Sequence, residues 1–220
     1  MNKANRFHTQ VLLLFAIASL CLLCPSSLSL RLCTADDWPG WRGPTRDDVW
    51  KETGLVEKFS TARLPLLWRA KIGSGYSGPT VADGRVYVTD LQKKPTSVER
   101  VHCFDAKTGH DLWTFSYDVD YKIIGFPAGP RAAVAIADGR AYALGAAGHF
   151  HCLDAATGKL LWKKDPEVDY KVRVPIWGIA SAPLIDGDLV IVQLGAENAC
   201  LVAWDRKTGA ERWRALDDNA

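Results

Sequence analysis

One motif returns three times in this chain and constrains its fold more than any other feature. Asp105-Ala106-Lys107-Thr108-Gly109 is followed by Trp113, Asp154-Ala155-Ala156-Thr157-Gly158 by Trp162, and Asp205-Arg206-Lys207-Thr208-Gly209 by Trp213. The closing tryptophans are spaced 49 and 51 residues apart. A period of that size is one supersecondary unit, which cannot bury an apolar face alone and must stack on its neighbours. In the turn itself, Asp and Thr oxygens bond to local backbone groups and Gly takes the left-handed conformation. The indole then falls four residues after Gly. A large flat ring at that place can pack over the next unit, which gives nine Trp against one Met a reason.

Each unit also opens alike. Asp83-Gly84, Asp138-Gly139 and Asp186-Gly187 read as tight hairpin turns between short β-rich runs. Thr80 to Ala82 leads into Val86–Val88, Val134 to Ala137 into Ala141–Leu144, and Leu184-Ile185 into Leu189–Val192. The unit is therefore strand, Asp-Gly turn, strand, loop, strand, Asp-x-x-Thr-Gly turn, and an outer strand carrying Trp: one four-stranded antiparallel blade. The predicted fold class is all-β, a partial β-propeller of about three blades, with no amphipathic helix after the N-terminal segment.

Residues 1–35 read as an export signal. Lys3 and Arg6 form a positive start, Val11 to Cys24 an apolar stretch too short to span a membrane comfortably, and small residues follow at Ser27–Ser29 and Cys33–Ala35. A retained N-terminal anchor is the competing reading. Removing the segment takes Lys3, Arg6 and Arg31 with it, leaving 24 basic against 25 acidic residues. No basic patch then points to nucleic acid, and no membrane span is expected after cleavage. Residues 36–67 are expected to lead into the propeller, and residues 68–220 to form its repeats. Cys103, Cys152 and Cys200 survive cleavage, and an odd number argues against a disulfide framework in an exported protein.

The pattern Ala-x-Asp-x-x-Thr-Gly-x-x-x-Trp resembles the tryptophan-docking repeat of quinoprotein (PQQ-binding-like) β-propellers, which also occurs in non-enzymatic relatives such as the outer-membrane assembly scaffold BamB. The resemblance implies that Trp113, Trp162 and Trp213 dock on the turn of the following blade. Cys103 and Cys152 stand where the family has Ala, and Ala203 keeps it; a buried thiol serves there as a small hydrophobe. Asp37-Trp38-Pro39-Gly40-Trp41-Arg42-Gly43-Pro44 is similar to the segment opening many secreted bacterial PQQ-like proteins, notably from planctomycetes. Such propellers close with seven or eight blades, so the resemblance implies a truncated ring, with Trp68 on the outer strand of an incomplete further unit.

A PQQ-dependent dehydrogenase needs aromatic stacking over the quinone, Ca²⁺ held by carboxylate and amide oxygens, and an Asp base. The sequence has no Cys-Cys pair and no haem-attachment motif. Arg131, read as beginning the inner strand of the middle unit, and Trp177, preceding an inner strand, are the channel candidates for cofactor contact. Glu197-Asn198 carries suitable Ca²⁺ ligands but reads as a solvated loop pair. His149-x-His151, with His102 at the position equivalent to His151, lacks the further ligands a metal site requires. No catalytic or metal residues are assigned. The leading reading is an exported binding or scaffold module, periplasmic or secreted, with an unidentified protein or cell-envelope partner and no cofactor. A fragment of a PQQ- and Ca²⁺-dependent alcohol or sugar dehydrogenase is the alternative, and a polysaccharide-binding propeller a third.

Overall fold

The computed structural model describes residues 36–55, 58–59 and 64–218; the segment read as a signal lies outside the described residues. Twelve strands form three four-stranded antiparallel sheets. The first contains β1 (Thr80–Ala82), β2 (Arg85–Gln92), β3 (Val98–Asp105) and β4 (Asp111–Asp118). The second contains β5 (Ala135–Ala137), β6 (Arg140–Leu144), β7 (Phe150–Asp154) and β8 (Leu160–Lys164). The third contains β9 (Leu184–Asp186), β10 (Leu189–Ala196), β11 (Ala199–Asp205) and β12 (Glu211–Ala215). Strands pair in chain order within every sheet. Across sheets, β1 packs against β5 and β5 against β9, so the first strands converge and the fourth strands lie outermost. That radial arrangement is three blades of a propeller.

The apolar core lies between blades. Tyr87, Val101 and Cys103 of the first sheet pack with Ala141 and Leu153 of the second and with Val134, just ahead of β5. Tyr142, Phe150 and Cys152 of the second pack with Val190, Val202 and Trp204 of the third. Strand alternation explains this: residues two apart share a face, so each blade presents one apolar row to each neighbour.

Two features depart from the sequence reading. In the first two hairpins the turn residues are Asp83-Gly84 and Asp138-Gly139, all four with positive φ. In the third, Asp186 belongs to β9 and pairs with Leu189, so the turn is Gly187-Asp188 rather than Asp186-Gly187. There only the first central residue, Gly187, has positive φ, as a hairpin with Gly leading requires. The second departure is a one-turn helix, α1 (Pro166–Tyr170), where no helix was expected. Asp165 caps it by accepting from Val168 N, and Pro166 sits in the first turn, where a missing N–H costs nothing. Five residues carry no readable helical period.

Candidate binding face and the docking sites that position it

The Asp-x-x-Thr-Gly turn has one geometry in all three copies. Asp105 Oδ1 accepts from Lys107 N at 3.1 Å, Thr108 N at 2.8 Å and Thr108 Oγ1 at 2.8 Å. Asp154 does the same with Ala156 and Thr157, and Asp205 with Lys207 and Thr208. Hydrogen bonds from Thr108 and Thr157 hold the first two carboxyls below the usual range, and Arg212 followed by Thr208 does so for Asp205. The residue after Asp faces two ways. Ala106, Ala155 and Arg206 each donate N–H to the opening hairpin of their own blade, at Gly84, Gly139 and Asp188, all at 2.9 Å. Their carbonyls face outward to the preceding blade.

Those carbonyls receive the indoles. Trp113 Nε1–H donates to Ala155 O at 3.1 Å and Trp162 Nε1–H to Arg206 O at 3.2 Å. Trp68, upstream of the first blade, donates to Ala106 O at 2.9 Å. Each ring lies against the turn glycine: a Cβ on Gly109, Gly158 or Gly209 would stand 2.5, 2.6 or 2.8 Å from Trp68, Trp113 or Trp162. Trp213 is 38% exposed and makes no such contact among the described residues.

A bulge aims each ring. The register slips one residue between Cys103 and Phe104, Cys152 and Leu153, and Ala203 and Trp204, leaving Leu112, Leu161 and Arg212 as the extra residues directly before the tryptophans. A bulge bends the strand and re-aims the side chain that follows. Cys103, Cys152 and Ala203, all fully buried, are the cross-strand partners of Trp113, Trp162 and Trp213. A small side chain beneath a large ring is what that position demands. Burial pushes the Cys103 and Cys152 thiols up to about 11 and 12, so they stay protonated and inert. Tyr87 and Tyr142, occupying one repeat position, also donate to Ala155 O and Arg206 O, at 3.2 and 3.0 Å. The sequence carries no three-fold signal for them, because the third blade has Ile191 there, paired with Ala203 as Tyr87 is with Cys103 and Tyr142 with Cys152.

The connections that precede the inner strands carry the candidate site. Arg131 does not begin the inner strand; it lies four residues ahead of β5, in the connection. Its Nε donates to Trp177 O at 2.7 Å, its Nη2 to Phe126 O at 2.6 Å, and its Nη1 to Gly129 O. The guanidinium carbon lies 5.3 Å from the centroid of the Tyr76 ring. Trp177 is 62% exposed and stacks on Phe126 with centroids 4.6 Å apart and planes at 16°. Gly125 N–H donates to Ile176 O at 2.8 Å, tying the two connections together. The two channel candidates thus meet, but on an open surface that also carries Tyr76, Ile123 and Ile176.

Buried carboxylates support that surface. Asp90 is fully buried and accepts from Arg100 Nε at 2.8 Å and Nη2 at 2.6 Å, with His102 Nε2 at 3.1 Å. It also accepts from Gly73 N, and Ser74 pairs with Leu91, so the approach to Tyr76 is fastened to β2. Burial pushes the Asp90 carboxyl up, but the bonds from His102 and Arg100 outweigh it and hold the group well below its usual range. Glu99, also fully buried, accepts from the Tyr117 and Tyr121 hydroxyls and from Ala146 N at 3.1 Å, joining the first blade to the second. Burial and the Glu99 carboxylate push both phenols far up.

The histidines do not gather. His102 belongs to the Asp90 network, and His149 and His151 pack around Tyr117 at 5.7 and 4.2 Å between centroids. Burial, with His149 and Lys163 nearby, pushes the His151 imidazole down to about 3. No group of three or more His, Cys, Asp or Glu suited to a metal exists among the described residues. Glu197 and Asn198 form the exposed two-residue turn between β10 and β11.

Radial four-stranded blades locked by indole-to-carbonyl docking define a quinoprotein-type β-propeller repeat protein. Residues 97–220 match the family described as outer membrane protein assembly factor BamB, and the chain belongs to that PQQ-like repeat family. A europium-containing methanol dehydrogenase shares the fold, with TM-score 0.52 and 24% identity, over 70% of this chain and 27% of its own. A quinohemoprotein alcohol dehydrogenase from Pseudomonas putida HK5 aligns with TM-score 0.51 and 28% identity, over 67% of this chain and 21% of its own. One from Comamonas testosteroni aligns with TM-score 0.51 and 30% identity, over 65% of this chain and 21% of its own. The chain therefore spans about a quarter of the length of those structures. No curated protein matches it.

Quinohemoprotein alcohol dehydrogenases share this fold, and the candidate residues bear on whether a quinone fits. Arg131 directs its N–H groups to three carbonyls, and one face of Trp177 is covered by Phe126. Glu197 and Asn198 sit on a hairpin tip with no further carboxylate ligand grouped there. These residues do not assemble a site for PQQ with Ca²⁺.

Proposed function

We propose that this chain is part of a non-catalytic binding or scaffold module that works at the cell envelope, presenting the Phe126–Trp177 face to a protein partner. One observation carries the reading. Arg131 is bonded internally to the carbonyls of Phe126, Gly129 and Trp177, so the cation serves as a brace and the stacked rings stand outward in solvent. A rigid exposed aromatic pair loses little conformational entropy on association, and aromatic anchors dominate protein interfaces. Propeller connections are suited to this because a stiff scaffold holds them.

The envelope assignment rests on the export-signal reading of residues 1–35 and on the family's description as an outer membrane assembly factor. No helix among the described residues is long and apolar enough to cross a membrane. The dehydrogenase alternative has in its favour the likeness to two quinohemoprotein alcohol dehydrogenases at 28% and 30% identity.

Two measurements separate the readings. The chain is incubated with PQQ and Ca²⁺, dialysed, and assayed for quinone absorbance and alcohol-dependent dye reduction; neither is expected. In parallel, envelope proteins are passed over immobilised wild-type chain and over Trp177→Ala. A protein retained by the first and lost by the second supports the module. Retained quinone with dye reduction above background rejects it.

A further inference from the structure

The segment Asp37–Arg46, singled out in the sequence for its Trp-Pro-x-Trp-Arg-Gly-Pro pattern, has no part in the docking contacts or the aromatic face. It crosses the three innermost strands instead. Trp38 pairs with Val81 of β1, N–H to O at 2.7 Å and O from N–H at 3.1 Å. Pro39 O accepts from Ile136 N of β5 at 2.7 Å, and the Arg46 guanidinium donates to Ile185 O of β9. Val81, Ile136 and Ile185 are the middle residues of β1, β5 and β9. One short segment therefore meets the same repeat position in all three blades.

The opposite edge of each inner strand is already paired within its sheet, to β2, β6 and β10. The edge toward the first strands' meeting line is left with free N–H and C=O groups, which an extended peptide can satisfy. Bonds within the segment itself hold its shape. Gly43 N bonds to Gly40 O at 3.1 Å, Asp48 N to Arg42 O at 3.3 Å, and Arg42 Nε to Asp48 Oδ2 at 2.8 Å. The Trp38 ring folds onto Gly43, whose φ is +77° and whose Cβ, if present, would lie 2.7 Å from the indole. The geometry points to a peptide-binding groove made of the three inner-strand edges, which takes a Trp-Pro-x-Trp-Arg-Gly-Pro segment, strand-paired at its Trp-Pro and folded into turns beyond it, and is filled here by the chain's own strap. The groove is separate from the Phe126–Trp177 face, so either assignment can fail without the other.

Amide hydrogen exchange on the full chain tests it, because Val81 and Ile136 donate N–H to the strap. Both amides are expected to be protected in the wild type. In Gly43→Val, which puts a branched side chain where the Trp38 ring lies, both should exchange at least about tenfold faster while β2 and β6 keep their protection. Adding a synthetic peptide of residues 36–50 should restore protection in the variant and change nothing in the wild type. Unprotected amides in the wild type, unchanged exchange in the variant, or no restoration by the peptide overturns the proposal. If Gly43→Val also loses protection in β2 and β6, Trp38→Ala is read instead, since it removes the ring that folds onto Gly43 beside the two bonds. There, faster exchange at Val81 and Ile136 reversed by the peptide supports the groove, and unchanged exchange overturns it.

Discussion

The Trp113 indole lies flat against Gly158, 45 residues away in sequence, and donates its N–H to Ala155 O at 3.1 Å from the same turn. Ring and turn belong to different blades, so this one contact joins them twice, by packing and by a hydrogen bond. The same relation between Trp162 and Gly209 joins the second blade to the third.

Gly158→Ala should therefore cost more than backbone strain alone. Its φ of +73° already disfavours a side chain, and the added Cβ would lie 2.6 Å from the indole. Gly84, with φ +70° and open space around it, isolates the strain. Urea unfolding should give about 1 kcal/mol for Gly84→Ala and about 2–4 kcal/mol for Gly158→Ala. Equal losses would mean that the ring moves aside freely.

Trp162→Ala removes the ring between the second and third blades and should cost about 3–5 kcal/mol. Trp162→Phe keeps much of the area, and Arg206 O retains the Tyr142 hydroxyl at 3.0 Å, so about 1 kcal/mol is expected from the lost N–H. Trp213→Ala, at a ring without a docked turn among the described residues, should cost about 1 kcal/mol or less. Chemical denaturation of the three variants, compared at constant m-value, checks the order.

His151 predicts a pH dependence. Burial lowers its pKa from 6.5 to about 3 in the folded chain, so between those values the unfolded state binds more protons. Stability is full above about 6.5 and falls as the pH drops toward 3. His151→Phe, which suits a site beside Phe115 and Tyr117, should flatten thermal stability across that window. Asp90 acts separately. Its carboxyl is held below its ordinary value of 3.8, so its contribution persists above that value and is lost only as the pH falls further. A His151→Phe curve that still declines from pH 6.5 assigns the effect elsewhere.

Arg131→Lys keeps the charge but cannot match the planar fork that serves three carbonyls. The expected result is a loss of about 1–2 kcal/mol, with faster amide exchange at Gly125 and weakened partner capture. Unchanged exchange at Gly125, whose N–H bonds to Ile176 O, would show that the brace is dispensable.

The blade was legible because its signals are local. Asp105, Thr108 and Gly109 bond among themselves, so their spacing already states the turn, and alternating apolar residues state the strands. The third opening hairpin was misplaced by one residue because Asp186-Gly187-Asp188 permits two turns, and only the pairing of Asp186 with Leu189 selects between them. The α1 helix was too short to show a period. Arg131 and Trp177 were visible as unusual residues, but not that they meet, since they lie 46 residues apart. Nothing local marks Glu99 and Asp90 as buried; only the packing of the blades covers them.

By itself the sequence determined the repeat, its all-β character and the residues that shape each turn, because those depend on neighbours along the chain. Tertiary structure alone decided which carbonyl each indole meets, where the Trp38 strap lies, and that Arg131 braces an exposed aromatic pair. Those choices depend on blades arriving side by side, and their free energy comes from groups dozens of residues apart that no local pattern brings together.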